Sequence, residues 1–377
     1  MIENKSNNNP IKRMSRRTRL FLKAFLVTTL FLSVVVVSGI IMWNRATAPP
    51  EIPAMRLIPM PPMAYSANPN NGSENGSELE NPLEYAEPEY IWPAPEGFTD
   101  DDRRDMFWTI LIVGLNEGRN ANTIMVASYC GISREANLIS IPRDVPVHPT
   151  RRGRKLSSSF LVGAGGGRGM AGGIAQVQRD VMSVIGFIPD YYVVIDYDTF
   201  FTIIDAVGGI EIYVPIRMRY DDPYQNLRID IHPGFQHMDS ATALHFVRFR
   251  QSNHNSPYPS LPDGDFGRIR NQQAVINAVI NRLLRPATLL RIPELVGIYN
   301  ESVYTNLTYR DMMFFGLELN HVRGTDALSM HTFLSTHTCR DNWYEFLDAA
   351  AVIELVNRTI NPFTRDIELR DINIIRN

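Results

Sequence analysis

The chain has 377 residues, 44% of them hydrophobic, and a formal net charge of -3 at pH 7. That is enough apolar material for one large domain or two ordinary ones. The near-neutral balance excludes a dedicated nucleic-acid binder, which carries a strongly basic domain; the two cysteines, Cys130 and Cys339, are too few for a disulfide framework or a zinc site.

The chain opens with a basic tail over residues 1–23, where Lys5, Lys12, Arg13, Arg16, Arg17, Arg19 and Lys23 face the single acid Glu3. Residues 24–44 (AFLVTTLFLSVVVVSGIIMWN) carry no charge, and about 20 apolar residues rising 1.5 Å each cross a bilayer core. They are expected to form one transmembrane helix, with the basic tail in the cytoplasm and the rest of the chain outside, anchored to the cell membrane. A cleaved signal peptide is the rival, since Ala46-Thr47-Ala48 has the A-x-A form. The apolar run exceeds the usual ~7–15 residues of such a peptide, and Pro49 would follow the cut.

Residues 45–97 are rich in Pro, Asn, Gly, Ser and Glu, with few branched apolar side chains, and are expected to be a flexible stalk. Next, MFWTILIVGL, NTIMVASYC and ANLISIP read as three strands from their β-branched content and two-residue period. GGIAQVQRDVMSVIGF reads as an amphipathic helix and DYYVVID as a strand. YDTFFTIIDAVGG is a helix closed by Gly208-Gly209, and IEIYVPI another strand. DSATALHFVRFR and FGRIRNQQAVINAVINRLL are expected to be helices beginning near Asp239 and Asp265. A sheet covered by helices is the economical α/β architecture for residues 98–285, with residues 286–377 as a C-terminal α/β extension packed on it. The two cysteines are expected to be buried free thiols, with a Cys130–Cys339 bridge as the alternative.

The chain contains no G-x-x-x-x-G-K-[ST], H-E-x-x-H or G-x-S-x-G. GAGGGRGMAGG does hold a G-x-G-x-x-G at Gly167, Gly169 and Gly172, but no confident strand leads into it, so a dinucleotide site is not expected. A glycine loop closing over an anion is one reading and a flexible connection the other. The histidines show no metal-ligand spacing.

What stands out is arginine. LISIPRDVPVHPTRRGRK begins as a buried strand and ends with five cations, Arg143, Arg151, Arg152, Arg154 and Lys155, against one acid, Asp144. The excess suggests a phosphate partner. Arg248 and Arg250 in FVRFR cannot share one helical face, so the helix is expected to run out there into an extended segment whose side chains reach a common cleft. Arg268 and Arg270 follow in DFGRIRNQQ. Guanidinium forks suit phosphate oxygens, although surface arginines paired with acids are the plainer reading.

LISIPRDVPV, RKLSSSF, DYYVVIDYDTFFTIIDAVGGIEIYVP, GFQHMDSATALHFVRFR and DFGRIRNQQ together resemble the LytR-CpsA-Psr family of bacterial envelope proteins over residues 105–285. A looser echo appears in VYTNLTYRDM and NPFTRDI. The resemblance implies a basic cytoplasmic tail, one anchor and an extracytoplasmic α/β domain with a central mixed β-sheet flanked by helices. It also implies an activity: an anionic glycopolymer, such as wall teichoic acid or capsule, passes from an undecaprenyl pyrophosphate carrier to peptidoglycan through a phosphodiester. Membrane, lipid-linked polymer and peptidoglycan are then the partners, and nucleic acid is not. By match to the motifs, Arg143, Arg248, Arg250 and Arg268 hold the pyrophosphate, Gln272 is a polar contact and Lys155 sits at the mouth. Asp144 and Asp205 fall in matching segments.

Asn116, Asn122, Asn271 and the start of KLSSSF depart from the pattern that the resemblance implies. Asn116 and Asn122 stand where the resemblance implies aspartates that help bind Mg²⁺ and activate the acceptor hydroxyl. Neutral amides supply oxygen but no charge and no base, so the affinity for Mg²⁺ should fall. Asn271 replaces an arginine, for which Arg270 is the expected substitute. An extracytoplasmic phosphotransferase with a weakened or metal-independent site is the leading expectation. A binder that holds the lipid-linked polymer without transferring it is the second. Transcriptional regulation ranks last, because no basic recognition helix is present.

Overall fold

The computed structural model describes residues 38, 44, 47–51, 99–151, 153–283, 285, 288, 303–322, 328–339 and 343–375. Of the expected anchor only Ser38 and Asn44 fall within these residues, and most of the stalk lies outside them. No helix among the described residues is long and apolar enough to cross a membrane. Residues 51–377 form one compact unit.

Strands β1 (Phe107–Leu115), β2 (Ala121–Cys130) and β3 (Glu135–Ser140) are the three runs expected from the sequence, and they pair antiparallel in chain order. Two helices follow, α1 (Ser159–Ala164) and α2 (Gly169–Ile185), then β4 (Tyr191–Ile195), parallel to β1. Asp196 ends β4 and caps α3 (Tyr197–Ala206) by accepting from the Thr199 amide at 2.9 Å.

Two hairpins come next, which the sequence reading did not resolve beyond IEIYVPI. Strands β5 (Ile210–Val214) and β8 (Gly234–Met238) pair with each other, as do β6 (Met218–Asp222) and β7 (Leu227–Ile231). Helix α4 (Ser240–Arg248) is capped by Asp239, whose carboxylate accepts from the Thr242 amide. It ends as the arginine spacing requires, with Phe249 extended at φ -64, ψ 130. Helix α5 (Asp265–Leu283) follows.

The C-terminal elements are β9 (Tyr304–Thr305), α6 (Tyr309–Val322), β10 (Leu328–Thr332), β11 (Ser335–Cys339), β12 (Trp343–Leu347) and α7 (Ala349–Thr359). The main sheet has the order β10-β3-β2-β1-β4-β9. A boundary at residue 285 therefore cuts across the sheet: both edge strands come from beyond it, so residues 303–375 complete the domain rather than extend it. The sheet is mixed, as expected. Strands β1, β3, β4 and β10 run one way, and β2 and β9 the other.

Alternation along β1 sends side chains to two different environments. Leu111, Val113 and Leu115 enter a core completed by Val177, Val181 and Val184 of α2 and Val352 and Val356 of α7. On the opposite face, Trp108 packs against Tyr129, Phe314 and Phe315 beneath α6. Further along that face, Ile112 and Gly114 are left to line an open cleft. A second core, with Ile204, Ile212, Ile229, Phe246 and Val275, ties α3, α4 and α5 to the hairpins.

The glycine-rich segment forms the α1–α2 junction and does not line that cleft. A Cβ on Gly172 would come within 2.5 Å of the Gly163 carbonyl oxygen, and one on Gly173 within 2.7 Å of the Phe160 ring. These two glycines let the helices touch, while Gly166, Gly167 and Gly169 form the connection with positive φ and open space around each. Cys130 is a free, half-buried thiol.

Candidate functional site: an arginine-lined cleft at the strand ends

Because β1, β3 and β4 run the same way, their C-terminal ends open at one edge of the sheet, beside the start of β2. Crevices at carboxyl ends of strands are where open α/β sheets place ligands. The cleft here has a volume of about 740 Å³. Its lining combines apolar side chains, among them Ile112, Phe200, Leu244, Val247, Val275 and Ile276, with a convergent set of cations.

Four arginines reach it from three places in the chain. Arg143 comes from the turn after β3, Arg248 and Arg250 from the end of α4, and Arg268 from the first turns of α5, with Gln272 one turn further along the same face. Arg143 donates from Nη1 to Asn122 Oδ1 at 2.8 Å, and its Nε lies 3.7 Å from Asp144. Arg248 donates to Gln225 at 3.3 Å and stacks over Tyr197, 5.3 Å from the ring centre. Arg268 is 6% exposed and held 2.9 Å from Asp265. The Nε atoms of Arg143, Arg250 and Arg268 are buried and have no hydrogen-bond partner among the described residues. Burial, opposed by Asp265 and reinforced by the neighbouring Arg143 and Arg250 charges, pushes Arg268 down to about 10. It remains a cation at neutral pH, in a place where an entering anion would relieve both desolvation and repulsion.

Asn116 and Asn122 also line the cleft. The register of β1 against β2 slips between Gly114 and Leu115, which pair with Thr123 and Ala121, so Asn122 is the unpaired extra residue of a β-bulge. Bulges re-aim side chains, and this one gives Asn122 its place beside Arg143. Both amide oxygens are already engaged: Asn122 Oδ1 by Arg143, and Asn116 Oδ1 by the Asn120 amide at 2.8 Å. Three carboxylates line the cleft. Asp144 accepts from Lys155 at 2.8 Å and Asp196 is the α3 cap, while Glu117 is exposed with no partner among the described residues. No group of three or more His, Cys, Asp or Glu able to hold a metal occurs among the described residues. Mg²⁺ is usually held by one or two carboxylates with near-octahedral oxygens. Two neutral amides, one of them occupied by a guanidinium, do not fit it.

Several expectations change at this point. Arg270 does not line the cleft. One residue along a helix turns the side chain by about 100°, so Arg270 faces solvent, 54% exposed and 2.7 Å from Asp263. It does not stand in for an arginine at Asn271, which is buried and donates to the Phe246 carbonyl at 3.2 Å. Lys155 is likewise not a lining residue; it sits behind Asp144, 5.5 Å from the Tyr344 ring. The five-cation run is not a set of unpaired charges. Arg151 is buried and bound to Asp180 at 2.8 Å, and Arg154 lies over Tyr344. Arg152 lies outside the described residues. Among the described residues of that run, Arg143 and Asp144 line the cleft, and Arg143 is the one cation. Asp205 is exposed on α3, away from it. Tyr197 and Gln225, which orient Arg248, were not singled out from the sequence. The helix-opening aromatic directly after a strand end is the one signal that pointed to Tyr197.

Residues 71–361 match the LytR_cpsA_psr family. The chain is 25% identical to the Staphylococcus aureus regulatory protein MsrR over 221 residues, 57% of this chain and 61% of MsrR. It is 26% identical over 273 residues to the Bacillus subtilis polyisoprenyl-teichoic acid–peptidoglycan teichoic acid transferase TagV, covering 69% of this chain and 65% of TagV. The match thus spans less than two thirds of either relative. The crystal structure of B. subtilis TagV superposes with a TM-score of 0.55 at 20% identity, covering 68% of this chain and 96% of that one, and shares the fold.

Proposed function

The chain belongs to the LytR_cpsA_psr family, and we propose that it transfers an anionic glycopolymer from a polyprenyl pyrophosphate carrier to peptidoglycan. The observation that carries this reading is the convergence of Arg143, Arg248, Arg250 and Arg268 on one cleft that also presents apolar walls, among them Ile112, Phe200, Leu244 and Val275. Cations with spare N–H groups suit a diphosphate, and apolar walls suit the start of a polyprenyl chain. TagV, by its name, transfers teichoic acid from a polyisoprenyl carrier to peptidoglycan, which supports the same class of donor and acceptor here.

In the proposed reaction a glycan hydroxyl attacks the phosphorus that bears the polymer. A phosphodiester bond forms, the bridging P–O bond of the pyrophosphate breaks, and polyprenyl monophosphate leaves with the bridging oxygen. The arginines stabilise charge growing on that leaving phosphate, a task for preorganised donors. The acceptor's proton passes to a cleft carboxylate. Glu117 fills that role, since Asp144 and Asp196 are already engaged. Residues 24–44 would tether the domain to the membrane from which the donor is drawn.

The test is a reconstituted assay with the full chain, a polyprenyl-pyrophosphoryl oligosaccharide and a peptidoglycan oligomer. Polyprenyl monophosphate and a phosphodiester-linked glycan should appear together. Donor binding without either product, under every buffer and metal condition, would instead establish a non-catalytic carrier.

A further inference from the structure

We infer that the cleft binds its diphosphate without a divalent cation, the charge being met by arginine alone. The inference rests on the pyrophosphate reading above and deepens it. The Arg143 guanidinium is fixed 2.8 Å from the Asn122 oxygen at the β-bulge, where the side chain is a neutral amide. An amide tolerates that neighbour as a neutral hydrogen-bond acceptor. A divalent cation at the same oxygen would face the guanidinium at close range, and like charges there repel. The second amide oxygen, on Asn116, is taken by the Asn120 backbone within the β1–β2 turn.

The charge balance of the lining is consistent with this. Four arginines stand against Glu117, Asp144 and Asp196, and the last two already have partners inside the protein. The cleft is therefore cationic before any metal arrives. Glu117 is then the one exposed lining carboxylate without a partner among the described residues, the low end of the one or two that hold Mg²⁺ beside a substrate phosphate.

Inorganic pyrophosphate titrated calorimetrically into the full-length protein in detergent tests this directly, once in EDTA and once in millimolar Mg²⁺. The affinity in EDTA should equal or exceed that in Mg²⁺, because free Mg²⁺ competes for the ligand. Tightening of about tenfold or more by Mg²⁺, a difference of about 1.4 kcal/mol, would overturn the inference while leaving the pyrophosphate reading intact. Absence of binding in both buffers would remove both. A second arm uses melting temperature in the presence of pyrophosphate: Mg²⁺ should raise it for the double variant Asn116→Asp, Asn122→Asp and not for the natural protein. An equal rise in both proteins would also overturn the inference.

Discussion

Two groups of arginine, encoded partly in one sequence run, do opposite work in this molecule. Arg151 is 5% exposed beneath α1 and α2, and its guanidinium is fully employed: Nε on the Gly153 carbonyl, Nη1 on Asp180, Nη2 on both Asp180 and Ser159. Gln176 completes the knot by donating to Asp180 at 3.0 Å. Arg143, only eight positions earlier, shares a cleft with three other arginines, and three of the four keep an unpartnered Nε. Residue type and local spacing are alike in the two places. The number of donors left over, and whether they face a cavity, distinguishes a structural arginine from a binding one. Arg179 marks the boundary between the cases: it is buried with Nε and Nη1 unpartnered among the described residues, but its Nη2 donates to Gln176 at 2.9 Å and it does not line the cleft.

The largest test of this contrast is Arg151→Ala. Removing one partner of a buried ion pair leaves Asp180 desolvated and unpaired, at a cost of about 3–5 kcal/mol. Denaturant unfolding should show a loss of that size. In any folded fraction, pyrophosphate affinity should be unchanged. Arg143→Ala should do the reverse, weakening pyrophosphate binding by about 1.5–3 kcal/mol, the scale of hydrogen bonds to charged groups, with little change in the unfolding midpoint. If both variants lose stability and neither loses affinity, the two groups are not different in kind.

A smaller effect is expected from pH in the knot. His148 accepts through Nδ1 from the Thr150 and Arg151 amides, at 3.2 and 2.9 Å. Burial, then the Arg151 charge, holds its pKa below the ordinary value. A folded-state pKa below the unfolded one means the unfolded chain takes the proton first. The contribution to stability is therefore complete above the unfolded value, about 6.5, and is lost as pH falls through the lower folded value. Replacing His148 with Gln should flatten that part of the stability profile without altering pyrophosphate affinity. The smallest effect belongs to Arg270→Ala. Its exposed pair with Asp263 predicts a change within about 1 kcal/mol in stability, and none in binding.

The same contrast explains what the sequence made legible. Strands β1 to β4 and helices α2 to α5 carry their own hydrophobic period, and their Asp caps are written beside them, at Asp196 and Asp239. The extended exit from α4 followed from two arginines that cannot share a helical face. Strands β6 to β8 escaped notice although Leu227 to Ile231 alternates in burial, because five-residue strands bracketed by Pro223 and Pro233 look like loop. The edge strands β9 and β10 pair with residues more than a hundred positions away, and nothing local announces such a partner. Arg151 and Arg143 were indistinguishable for the same reason: Asp180 and the bulge at Asn122 exist only once distant segments have met. Arg270 neighbours Asn271 in sequence but not in space, since one residue along a helix turns the side chain by about 100°.

The central claim is that the cleft holds a polyprenyl pyrophosphate by its arginines, and native mass spectrometry of the detergent-extracted full chain tests it most directly. The natural protein, expressed in bacteria, should carry or accept a mass matching a polyprenyl phosphate or pyrophosphate. Arg151→Lys, if it folds, should carry it too, while the double variant Arg143→Ala, Arg268→Ala should lose it. A natural protein that carries no such lipid and cannot be loaded with one would contradict the account.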